Sequence, residues 1–397
     1  MLVPYGREQL ELAVPEDQVG RIELGAANSR TIPLRALRDH RDLSKYSGKD
    51  TLCIVNDATR PTRTRETIDA CDLKCDFIVA SGAHSPPTPT ELEFIFGSEY
   101  AEKRIDVHDS RRSPCVELGT TSRGTPVALN REILGYRRLL VIGSVEPHYF
   151  AGYTGGRKGL LPGIAAYDTI ERNHALYFES GAEILKLRGN PVHEDMVEGA
   201  RMVDMPILSI NMVQDASGAV IDVFCGELSE SHAQAVEVAR QYYAVPIERR
   251  NDVVLTCAHY PMDVDLYQSQ KAIHNATRAT KPGGTIVLIS ACRNGIGPRL
   301  FYELMSSRTS PEEILRRAAV LRQLGSHKAA DFAKAMEEFR ILVLSDLPAE
   351  TLRKIHLEDC SPRTLETRIR TALSRGDRIA VMPEGSVAVP VLAPMAK

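Results

Sequence analysis

Eight short apolar runs, each closed by polar or turn residues, constrain this chain more than anything else in it. They are TLCIVND (51–57), DFIVASG (76–82), RLLVIGSV (138–145), PILSINMV (206–213), DVVLTCA (252–258), GTIVLIS (284–290), RILVLSD (340–346) and RIAVMPEG (378–385). Runs this short and this rich in β-branched residues describe strands buried on both faces. Helical patterns fall between several of them, at 228–244, 311–324 and 362–376. Strand–helix alternation leads to parallel sheets covered by helices, the α/β class. A chain of 397 residues exceeds one ordinary core. The expectation is therefore two Rossmann-like α/β domains with mainly parallel sheets and an active-site cleft between them. The boundary is placed after the long helix that ends near Ala244, giving domains 1–246 and 247–397. The Pro-rich tail from about residue 385 is expected to pack back on the first domain.

Composition excludes some partners. A net charge of −3, with Lys and Arg scattered, gives no basic field for nucleic acid. No apolar run approaches the roughly 20 residues of a membrane-spanning helix. The first residues carry acidic groups and no apolar stretch of a signal peptide, so a cytoplasmic protein is expected. None of the eight cysteines forms a CxxC pair. Cys53 and Cys257 lie inside apolar runs and read as buried, reduced thiols.

The stretch EPHYFAGYTGGRKGLLPG (146–163) invites comparison with a phosphate-cradling loop. That loop needs a glycine before its lysine and a hydroxyl after it. Here Arg157 precedes Lys158 and Gly159 follows. The glycines still imply that backbone approaches something closely. Polar residues also gather where the strands end. Asp57, Ala58, Thr59, Arg60 and Pro61 follow the first run, His84 the second and His148 the third. Ligands of parallel sheets bind at the carboxyl ends of strands. Three ionisable groups on one rim make a stronger signal than any of them alone. Singly, Asp57 reads as a turn cap, His84 as a loop histidine and Arg60 as a surface cation. DTIERNH (168–174) reads as helical and places His174 sixteen residues after Lys158. His193, in GNPVHEDM, stands nearby in sequence. In the second half LYQSQKA opens a helix on which Gln268 and Lys271 share a face.

Taken in order, DATRP, G-x-H, PHYFAGYTGGRKGLLPG, TIERNH and LYQSQKA resemble the nickel-pincer lactate racemase family, over about residues 55–300. The resemblance implies a racemase that removes hydride from a 2-hydroxy acid, forms the 2-keto acid and returns hydride to the opposite face. It implies a cofactor, the Ni(II)-pyridinium-3,5-bisthiocarboxylic acid mononucleotide (nickel-pincer nucleotide), attached to Lys158 through a thioamide. His174 would be the protein's ligand to the metal, completing a planar site of two sulfurs and one carbon that suits Ni(II). His84 and His148 would be the acid–base pair, a task suited to a side chain with a free pKa near 6.5. Asp57, Ala58, Thr59, Arg60, Gln268 and Lys271 would line the cofactor, and Arg60, Tyr267 and Lys271 the substrate. Partners would be the small hydroxy acid and the cofactor-synthesis proteins that supply the nucleotide. The chain departs from the commoner pattern at Ala83 and Ser85 and contains no tryptophan. Malate, 2-hydroxyglutarate, an aromatic hydroxy acid or a sugar acid are therefore alternatives to lactate. A nucleotide-binding protein of the P-loop kind and a non-catalytic cofactor carrier are the readings from other classes.

Overall fold

All eight apolar runs form strands. The computed structural model describes residues 1–25, 34–60, 62–307 and 310–393; Pro61 and the last four residues of the tail lie outside them. The chain divides into two compact units, one of residues 26–241 and one of residues 1–25 with 242–397.

In the unit of residues 26–241, β1 (Thr51–Asn56), β2 (Asp76–Ala80), β3 (Ile105–Val107), β4 (Arg138–Ser144), β5 (Ile207–Gln214) and β6 (Val220–Glu227) form one sheet. Its spatial order is β6-β5-β4-β1-β2-β3. Every pairing is parallel except β5 with β6. Leu52, Cys53, Ile54 and Val55 of β1 are all fully buried, which explains why the run shows no polar alternation. The chain leaves β1 for β2 and β3, then returns to β4 on the other flank of β1. That reversal is the switch point where α/β sheets open a ligand crevice.

Helices α1 (Tyr167–Ala175), α2 (Pro191–Arg201) and α3 (Leu228–Tyr243) belong to this half of the chain. The start of α2 is written in its sequence. Asn190 accepts from the backbone N–H groups of Val192 and His193, and Pro191 takes the first turn, where its missing donor costs nothing.

The other unit contains a second sheet of β7 (Asn251–Cys257), β8 (Thr280–Ile289), β9 (Arg340–Leu344), β10 (Glu358–Asp359) and β11 (Ile379–Met382). Its order is β10-β9-β8-β7-β11, with Gly20–Arg21 added beyond β11, and all pairings are parallel. Helix α4 (Leu266–Thr277) follows β7, capped by the Asp265 carboxylate on the Gln268 N–H.

Two sequence expectations change here. Residues 1–25 were placed with the first domain, but Gly20–Arg21 pairs with β11 and carries them into the unit of residues 242–397. The Pro-rich tail forms Val389–Leu392, which pairs in parallel with Ala244–Ile247 inside that same unit. All eight cysteines are free, and burial pushes the Cys53 and Cys257 thiols upward. Among the described residues no helix is long and apolar enough to cross a membrane.

The glycine-rich stretch is packed against the molecule's own core. Gly155 has φ +82°, and a Cβ there would stand 2.5 Å from Val145 Cγ2 and 3.0 Å from Asn211 Oδ1. The close approach implied by sequence is thus to protein. Gly155→Ala is expected to destabilise the fold by about 1–3 kcal/mol in urea unfolding. Gly135→Ala, where nothing lies within 4 Å of the added carbon, should stay within about 0.5 kcal/mol of wild type.

Candidate active site

Strands β2, β1 and β4 are neighbours, so their carboxyl ends deliver His84, Asp57 and His148 to one rim. Asp57 is buried, with Oδ2 2.7 Å from His84 Nδ1. Its Oδ1 accepts from the Thr59 N–H at 3.1 Å and the Thr59 hydroxyl at 2.6 Å. Burial alone would raise this carboxyl, but the bonds from His84 and Thr59 outweigh it and hold the pKa below the usual carboxylate range. Ala58 is partly buried and packs against the hydrophobic core. Arg60 Nε lies 3.6 Å from Glu146 Oε1, and both side chains are mostly buried.

His148 sits on a short antiparallel ladder, Pro147–His148 against Gly152–Tyr153. The Ala151 N–H donates to its Nδ1 at 3.3 Å. Tyr149 stacks on the imidazole at 5.3 Å between centroids, and Phe150 meets it edge-on at 4.6 Å. Phe150 also meets His174, of α1, edge-on at 5.2 Å, so one phenyl ring bridges the two imidazoles. His174 is partly accessible, yet so densely surrounded that burial, followed by the neighbouring Lys158 ammonium, pushes its pKa down to about 3. The charge of His84 contributes in the same direction. His174 is therefore neutral at ordinary pH, with an imidazole lone pair to offer.

Lys158 is half-buried on the short turn Gly156–Gly159. The preceding residue is the surprise. Arg157 is 2% exposed, and its guanidinium donates to the carbonyls of Ala151 (3.1 Å), Tyr153 (2.8 Å), Thr154 (3.3 Å) and Gly155 (3.2 Å). The imidazole of His232 lies 2.9 Å from the same group. Burial lowers the Arg157 pKa to about 9. A phosphate loop turns its N–H groups toward an anion; this loop turns its carbonyls toward a cation of its own.

These placements bring together Asp57, Thr59, Arg60, His84, His148, Lys158 and His174 within one unit. Tyr267, Gln268 and Lys271 stand on α4 of the other. There Tyr267 is held by Phe301, edge-on at 5.4 Å, and by the Lys328 ammonium 4.3 Å from its ring centre. Lys271 Nζ lies 3.5 Å from Met262 Sδ. Sequence reasoning missed Glu146, although it follows β4 closely and stands two residues before His148. It also missed Asp195, a fully buried carboxylate that accepts from Thr121 at 2.5 Å and from Asn173, beside His174, at 2.8 Å.

Two Rossmann-like units and a histidine-rich rim at a strand-order reversal define a small-molecule α/β enzyme class. The chain matches the lactate racemase N-terminal domain over residues 5–184 and the lactate racemase C-terminal domain over residues 247–391. It is 29% identical over 341 residues to the lactate racemase of Thermoanaerobacterium thermosaccharolyticum, covering 79% of this chain and 80% of that protein. To the lactate racemase of Lactiplantibacillus plantarum it is 29% identical over 360 residues, covering 85% and 84%. The lactate racemase apoprotein structure from T. thermosaccharolyticum superposes with a TM-score of 0.88 at 25% identity, over 99% of this chain and 100% of that one. A Thermotoga maritima protein shares the fold, with a TM-score of 0.74 at 17% identity over 91% and 97%. The chain belongs to the lactate racemase family, a family of isomerases.

A second neutral histidine makes the fold sensitive to acid. Burial, then Arg157 and Lys158, lower the His193 pKa to about 3. In the unfolded chain a histidine titrates near 6.5. Between pH 6.5 and 3 the unfolded state thus binds the additional proton, and stability falls as pH falls through that window. His193→Gln should flatten the dependence of Tm on pH there by up to about one proton of uptake, measured on the apoprotein. An unchanged slope would show that His193 is charged in the folded state.

Proposed function

We propose that this chain racemises lactate or a close 2-hydroxy acid relative, using a nickel-pincer nucleotide attached to Lys158. The observation that carries the reading is the grouping of two differently held histidines, His84 and His148, with a neutral His174 beside Lys158. Support also comes from the two domain matches and from relatives that are themselves lactate racemases.

The residues fit such a group. Among the described residues no three His, Cys, Asp or Glu side chains gather to hold a metal. A metal held by His174 would therefore take its other donors from a bound organic molecule, as a planar nickel site of two sulfurs and a carbon does. Lys158 offers an amine for attachment, and the Lys158 charge already felt at His174 puts the two in the same neighbourhood. When bound, the nucleotide supplies an acceptor and donor for the hydride at the substrate's stereocentre.

The chain's own residues handle the proton and the carboxylate. His84 takes the hydroxyl proton of one enantiomer, and His148 serves the hydroxyl presented toward it by the other. Arg60 holds the carboxylate, which must share the guanidinium with Glu146. By family resemblance Ala58, Thr59, Gln268 and Lys271 also serve the cofactor, and Tyr267 and Lys271 the substrate. Activity then depends on the proteins that make the nucleotide, so protein produced without them is expected to be inactive.

The absence of tryptophan favours a second reading for the substrate. Any aromatic wall must be tyrosine or phenylalanine, so another hydroxy acid is weighed by a substrate panel on the loaded enzyme. His84→Ala and His148→Ala should each slow racemisation by roughly 10²–10⁴-fold while the adduct on the Lys158 peptide still forms. The decisive measurement is turnover in deuterium oxide. Product without deuterium at the stereocentre is expected; deuterium there would replace hydride transfer by proton abstraction.

A further inference from the structure

The two rim histidines are held by opposite kinds of group. A carboxylate only accepts hydrogen bonds, so the 2.7 Å contact with Asp57 Oδ2 requires the proton of neutral His84 on Nδ1. Nε2 then carries the lone pair. Asp57 is in turn fixed by Thr59, whose N–H and hydroxyl both bind Oδ1. A backbone N–H only donates, so the Ala151 contact at 3.3 Å requires the lone pair of His148 on Nδ1 and the proton on Nε2.

We propose that Asp57 is a positioning residue acting through His84, and that with the Ala151 N–H it presets the two histidines in opposite neutral tautomers. The kinetic consequence rests on the racemase reading; the tautomers do not. A substrate hydroxyl facing His84 meets an acceptor. Its O–H bond breaks, an Nε2–H bond forms, and the resulting imidazolium faces the Asp57 carboxylate, which stabilises it. A hydroxyl facing His148 meets a donor at Nε2. It reacts only after that proton has left for solvent and another has reached Nδ1, which breaks the Ala151 contact. Enantiomers have equal energy, so kcat/KM must be the same in both directions. The additional step therefore shows as unequal kcat values with KM shifted in proportion.

The test uses apoprotein with ¹⁵N-labelled histidine at mildly alkaline pH, with signals assigned by His84→Gln and His148→Gln. Wild type is expected to show a protonated Nδ1 at His84 and a protonated Nε2 at His148. Asp57→Asn keeps the shape but can donate as well as accept, so His84 should become a mixture of tautomers. Loaded Asp57→Asn should turn over roughly 10²–10⁴-fold more slowly, with nickel content and the Lys158 adduct mass unchanged. Should Asp57→Asn disturb the fold, Thr59→Val loosens only the anchor on Oδ1 and should broaden the same His84 signals. A wild-type His84 protonated on Nε2, or His84 signals indifferent to Asp57→Asn, overturns the proposal. Loss of the adduct in Asp57→Asn also overturns it and returns Asp57 to the cofactor. Tautomers as expected in a protein that racemises no hydroxy acid would sustain the positioning role and remove the racemase reading instead.

Discussion

The Arg157 guanidinium is the interaction on which the rest of the site depends. A buried cation is costly unless its donors are bonded, and here four carbonyls of residues 151–155 surround it. Those carbonyls face inward only if the loop bends as it does, with left-handed backbone at Gly152, Gly155 and Gly156. The same bend sets the Ala151 N–H against His148 and presents Lys158 on the next turn. One buried side chain therefore fixes the residues on either side of it. The polarity also explains the failed likeness to a phosphate loop. With its carbonyls gathered on Arg157, and the Gly156 N–H given to Asn211, this loop is organised around a cation from its own sequence.

Arg157 and Lys158 together shape the electrostatics nearby. Both cations bear on His193, Lys158 bears on His174, and Arg157 bears on His232, which burial also holds well below the usual histidine range. Burial is the larger cause at all three, and together with the cations it keeps these imidazoles neutral. Neutral imidazole is the form that can donate a lone pair to a metal or accept a hydrogen bond, so burial, with the positive loop beside it, favours that form before any ligand arrives.

Much of this was legible in the sequence because parallel strands obey a simple rule. Runs buried on both faces are continuous and apolar, and all eight proved to be strands. Polar residues just past their ends share a rim, and the order β4-β1-β2 made neighbours of His148, Asp57 and His84. Strands lacking that signature went unread. β3 is only three half-buried residues, and β6 pairs antiparallel at a sheet edge with one flank open. Gly20–Arg21 is two residues long, and no periodicity can announce it. The glycines announced a close approach but left the neighbour unnamed, for a related reason. Their spacing shows that something comes close, but whether that is a ligand or Val145 depends on contacts far along the chain. Asp195 was hidden in the same way, since its partners Thr121 and Asn173 are 74 and 22 residues away.

Three neighbouring histidines, two at the strand ends and one on α1, could be taken as interchangeable, and their surroundings argue otherwise. Environment, more than residue type, assigns chemical roles to titratable groups. His84 is half-exposed with a buried carboxylate at its back, which orients the ring through Nδ1. His148 is buried between Tyr149 and Phe150, so ring packing fixes its plane and a backbone amide fixes its tautomer. His174 is densely surrounded, and burial, followed by the Lys158 ammonium, pushes its pKa down to about 3. An imidazole backed by a carboxylate, one packed between aromatic rings and one held neutral are three different states of one side chain. The sheet and α1 supply only their proximity; the carboxylate at His84, the amide at His148, and burial with the neighbouring ammonium at His174 set the state of each.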